Sequence, residues 1–316
     1  MGRELSGIHH VTAIAGDPQQ NVDFYAGVLG LRLIKVTVNY DDPGTYHLYY
    51  GDEVGHPGTL LTFFPWPGAA RGRRGTGQVT AVAFSIPAQA IDYWIDRLKR
   101  QAIDVHGPIA RFDEQVLAFD DPDGLPLELV AGPRADARTP WAGGPVPPAS
   151  AIRGFSTVTL TEAACEETAA FLTDTLGCGL VQREGSRVRF RMGAGGPGAL
   201  VDVLCLPKTA RERVAVGSVH HVAWRTPDDE SQRAWRQDLA TRGVDVTPVI
   251  DRQYFHSIYF REPGGVLFEI ATDLPGFTVD EPAERLGTQL RLPPHLEPMR
   301  REIEQRLPPL RHVTAP

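Results

Sequence analysis

The pattern of apolar and polar residues near the start of the chain predicts a strand, a helix and further strands. The short alternating segment 8–14 reads Ile-His-His-Val-Thr-Ala-Ile and predicts a strand. A helix should begin at Asp17, which precedes a proline, because apolar residues follow at helical spacing until Gly30 ends it. Segments 46–50 and 59–64 predict two of the strands that follow. We interpret the whole as a βαβββ unit.

This βαβββ order recurs four times, and internal sequence similarity marks the repeats. Segment 9–12 matches segment 156–159 at an offset of 147 residues, and an offset of 141 residues carries Trp94 to Trp235 and holds at many further positions. Chance does not hold one offset over so many positions. We call the repeats modules one to four, and they cover residues 7–65, 77–132, 151–207 and 217–272.

The four modules predict an α+β protein with two domains. Residues 1–132 carry modules one and two, and residues 151–272 carry modules three and four. Segment 133–150 is rich in proline and glycine, which is typical of an interdomain linker. A C-terminal extension follows at 273–316. Within it, residues 297–307 predict a short amphipathic helix that we expect to pack across the core.

Composition excludes several classes of protein. With 316 residues, 42% of them hydrophobic and 22% charged, the chain is globular and long enough for two cores. The net charge of −7 and the lack of a basic stripe exclude a nucleic-acid partner. No apolar run approaches the ~20 residues that span a bilayer, and the first six residues lack the apolar core of a signal peptide. We therefore expect a cytoplasmic protein without a membrane anchor, as a monomer or a homo-oligomer.

The cysteines number three and show no CxxC spacing. Cys165, Cys178 and Cys205 are widely separated in the sequence. An odd number without metal-ligand spacing is typical of cytoplasmic proteins with reduced thiols. We expect all three to be reduced and mostly buried.

Comparison of the modules singles out two positions where the chemistry differs. The second residue of the first-strand doublet is His10 in module one and His221 in module four, whereas modules two and three carry alanine and threonine there. The last strand carries Glu269 in module four. Two imidazoles and one carboxylate on one face leave positions open for substrate and O₂, as in non-haem Fe(II) oxygenases. Since neighbouring side chains of a strand point to opposite faces, His9 and His10 cannot both bind one ion.

This ligand set predicts which modules pair. If modules one and four share a sheet, His10, His221 and Glu269 meet in one cavity, whereas pairing in sequence order separates the two histidines. We predict the pairing of one with four. At the position of Glu269, modules two and three carry Glu128 and Asp202, which could be relics, salt-bridge partners or a second metal site.

The motifs resemble those of the vicinal oxygen chelate superfamily, which holds glyoxalases and extradiol dioxygenases. The opening His-x-Val…Asp…Phe-Tyr…Leu-Gly and the closing Gly-Gly-Val-Leu-Phe-Glu carry this resemblance. Segments 8–12, 46–50, 219–221 and 255–265 resemble its hydroquinone-type ring-cleaving dioxygenases. The resemblance implies glyoxalase-like domains, Fe(II) as the cofactor (Mn(II) in some relatives), and an aromatic diol and O₂ as the substrates. It implies His10, His221 and Glu269 as the metal ligands, and active-site roles for His9, Thr12, His220, Arg252 and Tyr259.

The repeats test part of this implication. Tyr259 and His256 align with alanine and glutamine in module two, so these side chains occur only beside the histidine module. Arg252 aligns with Arg111, which weakens the case for a functional role, but Arg252 stays among the catalytic candidates. His47 lies in a tyrosine-rich strand and is interpreted as structural. Tyr259 and His256 therefore join the candidates for catalysis.

The sequence favours an Fe(II)-dependent extradiol-type dioxygenase that opens hydroquinone-like rings with O₂. Tyr259 and one of His9, His220 and His256 are the candidates for proton transfer. One alternative is a glyoxalase-type isomerase or lyase, which usually needs four protein ligands, whereas module one supplies Thr62 at the fourth position. The other is a small-molecule-binding resistance protein, which need not keep two histidines and a carboxylate together.

Overall fold

The computed structural model describes residues 4–311, which form strands, five α-helices and several short helical turns. The strands are β1 (Ile8–Ala15), β2 (Arg32–Asn39), β3 (Asp42–Gly51), β4 (Leu60–Pro65), β5 (Gln78–Ser85), β6 (His106–Arg111), β7 (Glu114–Asp120), β8 (Pro126–Ala131), β9 (Gly154–Glu162), β10 (Gly179–Glu184), β11 (Arg187–Arg191), β12 (Leu200–Cys205), β13 (Ser218–Thr226), β14 (Ile250–Asp251), β15 (Phe255–Arg261) and β16 (Leu267–Pro275). The helices are α1 (Pro18–Val22), α2 (Ile91–Arg100), α3 (Cys165–Ala170), α4 (Asp229–Thr241) and α5 (Arg300–Arg306). Among the helices of residues 4–311, none has the length and apolar character needed to cross a membrane.

The first helical segment begins and ends where the sequence predicts. The carboxylate of Asp17 accepts a hydrogen bond from the backbone N–H of Gln20 (2.8 Å), which caps α1. After α1 the chain makes a π-helical turn over Asp23–Val28 and then reverses at Gly30, whose φ of +72° is one that glycine adopts without strain. Each of the other modules likewise has one helical segment between its first and second strands. The predicted βαβββ order is confirmed in all four.

The strands form two curled eight-stranded sheets, each built from two modules. The first sheet has the order β14-β15-β16-β13-β1-β4-β3-β2, and the second has the order β10-β11-β12-β9-β5-β8-β7-β6. Antiparallel pairing of β1 with β13 joins modules one and four, and antiparallel pairing of β5 with β9 joins modules two and three. The predicted pairing of one with four is confirmed, and each sheet is one glyoxalase-like unit of an α+β protein.

Alternation along β1 separates the core from a cavity. Val11 is fully buried in the hydrophobic core, whereas His10 and Thr12 line a cavity on the other face. Helices cover the core side, where Trp94 of α2 and Trp235 of α4 are buried at aligned positions. The first strand of module one therefore contributes its polar alternate residues to a site.

The C-terminal extension packs on the first sheet. Lys35 of β2 is completely buried, and its ammonium group donates to the carboxylates of Asp280 (2.7 Å) and Glu281. Glu281 also pairs with Arg291 at 3.0 Å. A buried charge is stable only when it is paired in this way. Farther along, α5 occupies part of the segment predicted as a helix, and it buries Ile303 in the core as expected.

The prediction of three reduced cysteines is wrong. Cys165, at the start of α3, and Cys205, at the end of β12, form a disulfide with Cα atoms 5.6 Å apart. Cys178 is free and buried. The two bonded residues are 40 positions apart in sequence, so only the packing of α3 against the end of β12 brings them together.

Candidate active site

Three predicted ligands meet between the central strands of the first sheet. His10 lies on β1, His221 on β13 and Glu269 on β16, and all three are buried. The Nε2 atoms of the two histidines are 3.2 Å apart, and Glu269 Oε2 lies 3.2 Å from His10 Nε2 and 3.0 Å from His221 Nε2. Within residues 4–311 this is the one group of three or more such side chains placed to hold a metal ion.

The size of this triangle fits one face of an octahedral metal site. Ligand atoms ~2.1 Å from an ion and at right angles to one another lie ~3.0 Å apart. Glu269 Oε2 is buried without a hydrogen-bond partner, while Ser257 donates to the other carboxylate oxygen. Burial opposes ionisation of Glu269, but the adjacent His10 and His221 outweigh it and hold the pKa of this carboxyl well below its usual value. The three side chains therefore fit a divalent cation.

The protonation of His10 follows from its neighbour His9. His9 Nε2 lies 3.1 Å from the carbonyl oxygen of Thr272. Because a carbonyl oxygen only accepts hydrogen bonds, His9 Nε2 must carry a proton. Burial, and then the nearby His10, lowers the pKa of His9 well below its usual value, so the ring is neutral and its Nδ1 accepts. His10 Nδ1, at 2.9 Å, must be the donor. The Nε2 atom of His10 is thus left with a lone pair for a metal.

The second histidine doublet repeats this arrangement with one difference. His220 Nδ1 lies 2.8 Å from His221 Nδ1. Burial, followed by the effect of His221, lowers the pKa of His220 to about 3, so this ring is neutral at pH 7. If His221 binds through Nε2, its Nδ1–H donates and His220 carries its proton on Nε2. His220 lines the cavity, whereas His9 lines a separate cavity of about 170 Å³ behind the triad.

Replacing His9 is expected to weaken metal binding without affecting distant parts of the fold. His9→Phe removes the acceptor that fixes His10 Nδ1–H, and loss of such a supporting group typically costs ~10–100-fold in metal affinity. His9→Gln, which keeps an acceptor oxygen, should lose less. Competition with a chelator measures the dissociation constant of Fe(II), with the exposed His106→Phe as the control. An unchanged constant in His9→Phe would contradict the proposed support.

A cavity of about 380 Å³ opens above the three ligands. Its wall combines the polar groups of the site with the aromatic rings of Phe64, Trp66 and Phe255. Small-molecule sites have this character, in which apolar walls exclude water and a few polar groups fix orientation. The cavity is therefore suited to a small aromatic ring held beside a metal.

Arg252 and Tyr259 line this cavity together. Arg252 Nε donates to the hydroxyl oxygen of Tyr259 at 3.2 Å, and its Nη1 lies 3.1 Å from Asp41 of module one. Burial raises the pKa of Tyr259, so it is a neutral phenol at pH 7. Arg252 and Arg111 align in sequence, but their partners differ. Arg111 binds Glu128, the carboxylate of its own module. Arg252 instead binds Tyr259 and Asp41, which leaves Glu269 of its module free for a metal.

A hydroxyl network takes the place of a fourth carboxylate. Thr62 of β4 is the module-one counterpart of Glu269, and its hydroxyl lies 2.8 Å from that of Thr12. His47 Nε2 lies 2.9 Å from Thr62 Oγ1, and Tyr49 contacts His47 in turn. His47, which we interpreted as structural, lines the cavity together with Tyr49. Comparison of β3 with β15 could have identified Tyr49 from the sequence.

His256, like His9, is a catalytic candidate that the structure does not bring to the cavity above the ligands. Its Nδ1 lies 2.6 Å from Asp229 at the start of α4, and it is not among the residues lining the cavity above the ligands. The pairing holds α4 against β15. Its predicted catalytic role gains no support from this position.

The second sheet carries arginines where the first carries the three candidate metal ligands. Arg111 binds Glu128 through two hydrogen bonds of 2.6 and 2.7 Å. Asp202 is completely buried and pairs with Arg187 at 3.0 Å and with Arg189 at 2.7 Å. Of the three roles left open for these carboxylates, the structure supports that of salt-bridge partners.

Comparison with known proteins agrees with this geometry. The model of the Glyoxalase/Bleomycin resistance protein/Dioxygenase superfamily matches residues 7–129 and 154–270. A Bacillus subtilis protein named "Putative ring-cleaving dioxygenase MhqO" is 50% identical, over 98% of both chains. Chlorohydroquinone/hydroquinone 1,2-dioxygenase of Sphingobium indicum is 36% identical, over 95% of both chains. A crystal structure from B. subtilis has 49% identity and a TM-score of 0.94, covering 98% of this chain and 99% of the other.

The chain belongs to the Glyoxalase/Bleomycin resistance protein/Dioxygenase superfamily. Within that superfamily, the relatives similar over nearly the whole chain are named as ring-cleaving dioxygenases. Glyoxalase I from Zea mays has only 15% identity and a TM-score of 0.63, over 84% of this chain and 92% of its own, and so shows the shared fold alone.

Proposed function

We propose that the protein is an Fe(II)-dependent extradiol-type dioxygenase that opens hydroquinone-like aromatic diols with O₂. The observation that carries the proposal is the triangle of His10, His221 and Glu269, which occupies one face of an octahedral site and leaves the other face toward the cavity. This is the ligand arrangement of non-haem Fe(II) oxygenases, which need open positions for substrate and O₂. The names of the full-length relatives support the same chemistry.

The two alternatives are less consistent with the site. A glyoxalase-type enzyme usually completes its metal shell with a fourth protein ligand, whereas here Thr62 is hydrogen-bonded to Thr12 and His47. A binding protein has no need for three buried side chains whose lone pairs converge, because their desolvation is unfavourable without a cation. Both considerations favour a dioxygenase.

The residues around the triangle can bind and orient a ring. A bound Fe(II) would supply the Lewis acidity that lowers the pKa of a ring hydroxyl and the redox chemistry toward O₂. The aromatic rings of Phe64 and Trp66 exclude water from the ring faces. His220, neutral and with its Nε2–H toward the cavity, donates a hydrogen bond to an oxygen of the substrate.

Tyr259 is the group that holds and moves a proton. Its hydroxyl accepts from Arg252 Nε, so its own proton is free to donate into the cavity. The guanidinium group also favours the phenolate, which assists transfer of that proton to an oxygen atom of the substrate. Thr12 acts through Thr62 as a supporting residue and lies opposite His221 in the sheet.

Metal content and O₂ uptake test the proposal. Protein stripped of metal and reloaded anaerobically with Fe(II), Mn(II) or Zn(II) is supplied with hydroquinone or catechol in the presence of O₂. We expect one metal ion per chain and stoichiometric O₂ uptake with ring opening for the Fe(II) form, with hydroquinone preferred. Turnover of a glutathione hemithioacetal without O₂ uptake would identify an isomerase, and ligand binding without turnover of any substrate would identify a binding protein. The cytoplasmic location stays a prediction.

A further inference from the structure

A pseudo-twofold relation in the first sheet gives each residue of the site a counterpart. β1 and β13 are antiparallel neighbours, with Thr12 opposite His221 and His10 opposite Ala223. The relation therefore exchanges the two ligand histidines with each other. It also exchanges the strands on either side, β4 with β16 and β3 with β15.

The relation identifies Tyr49 as the counterpart of Tyr259. Tyr49 lies opposite Thr62 across β3 and β4, and Tyr259 lies opposite Glu269 across β15 and β16. A ligand carboxylate therefore stands beside Tyr259, whereas a threonine stands beside Tyr49. Because the ligand carboxylate lies on the Tyr259 side, a bound substrate can extend toward the Tyr49 side of the cavity.

Tyr49 ends a chain of hydrogen bonds that leads away from the triad. The chain runs from Thr12 to Thr62 (2.8 Å), from Thr62 to His47 Nε2 (2.9 Å) and from His47 Nδ1 to the Tyr49 hydroxyl (2.8 Å). We call these four residues the polar arm. The ring of His47 is packed between those of Tyr49 and Phe64, with centroids 4.1 and 4.3 Å away. The arm is therefore held in one conformation.

At the end of the polar arm that lies away from the triad, the Tyr49 hydroxyl keeps hydrogen-bonding capacity for a ligand. Both ring nitrogens of His47 have protein partners, whereas the Tyr49 hydroxyl, with one donor and two acceptor sites, makes one hydrogen bond within residues 4–311. Burial lowers the pKa of His47 and raises that of Tyr49, so both are uncharged at pH 7. A neutral phenol beside a neutral imidazole can accept or donate, which matches a hydroxyl group better than a carboxylate.

We propose that Tyr49, held by His47, binds the second ring oxygen of a para-diol whose first oxygen lies at the metal ligands. The proposal rests on the proposed function and adds a determinant of its specificity. In an ortho-diol both oxygens are adjacent and can reach one metal, whereas the second oxygen of a para-diol is directed to the opposite end of the cavity. A site built to hydrogen-bond such a group discriminates against analogues that lack it, because its own polar group is then left unpaired.

Ligand binding without turnover tests this assignment. Protein loaded with Zn(II), which is redox-inert, is titrated anaerobically with hydroquinone and with phenol, which lacks the second oxygen, in a calorimeter. We expect the wild type to bind hydroquinone more tightly than phenol, and Tyr49→Phe to reduce this preference ~10-fold. His47→Gln, which loosens the support of Tyr49, should reduce it by less.

The neighbouring residue provides a matched control. Tyr50 is also buried and also makes one hydrogen bond, to Asn21 at 2.9 Å, but it lies on the opposite face of β3. Tyr50→Phe should keep the wild-type preference. The same preference in Tyr49→Phe and wild type, or an equal loss in Tyr50→Phe, would overturn the assignment to Tyr49. Failure of the wild type both to bind hydroquinone and to open it with O₂ would instead overturn the proposed function.

Discussion

Glu269→Gln is expected to lower kcat by ~10³-fold or more while the protein stays folded. Ser257 donates to one carboxylate oxygen, so the glutamine oxygen takes that position and the amide nitrogen replaces Oε2 at its corner of the triangle. An amide nitrogen has no lone pair for a metal. Its N–H groups can donate to the Nε2 atoms of His10 and His221, which satisfies the buried groups in the metal-free state. Metal content, circular dichroism and O₂ uptake measure the three parts of this expectation.

The second sheet offers the same substitution at the equivalent position. Glu128→Gln weakens a buried pair with Arg111, so it costs stability as a core substitution does. Since no metal ligand is involved, metal content and kcat should equal those of the wild type. Full activity of Glu269→Gln, or an equal loss of activity in Glu128→Gln, would remove the basis for the ligand assignment.

Tyr259→Phe is expected to lower kcat by ~10²-fold with metal content unchanged. The substitution removes the proton that Tyr259 can donate into the cavity and leaves Arg252 with Asp41 as its partner. Stopped-flow measurements that separate substrate binding from turnover distinguish this loss from a loss of affinity. The effect should appear in kcat more than in KM.

A tyrosine close in sequence serves as the control for this substitution. Tyr254 is buried and donates to Asp280 at 3.0 Å, outside the cavity that holds the triad. Tyr254→Phe should therefore reduce stability without changing kcat. If Tyr259→Phe has wild-type kinetics, the hydroxyl serves only to pack Arg252 in place.

The sequence was sufficient to predict the fold because the protein is a fourfold repeat. Helix signals such as Asp17 and Gly30 are local, and the structure confirms them. The differences among aligned positions also identified His10, His221 and Glu269 as one group, since a metal site changes residue chemistry at positions that are otherwise equivalent. Pairing of modules one and four followed from that group, and the family resemblance indicated the same pairing.

Features that depend on side-chain packing could not be predicted in the same way. The disulfide of Cys165 with Cys205 depends on how α3 meets the end of β12. Strict alternation predicted His9 on the face opposite His10, yet the rings contact each other where the register of β1 shifts against β13. The hydrogen-bond partner of an arginine is equally difficult to predict from sequence. Arg252 binds Tyr259 rather than a carboxylate of its own module.

The pairing of module one with four and of module two with three affects how the enzyme folds during synthesis and how it responds to cleavage of the chain. The proposed ligands His10 and Glu269 are 259 residues apart in sequence, so during synthesis a metal site built from them can form only after more than four-fifths of the chain has emerged from the ribosome. A chain cut between β8 and β9 would yield two fragments, each of which supplies half of both sheets. Neither fragment contains a complete sheet, and the two together contain all of both. A nick in that connection therefore leaves an interlocked pair, and activity would be recovered by mixing the fragments rather than by either fragment alone.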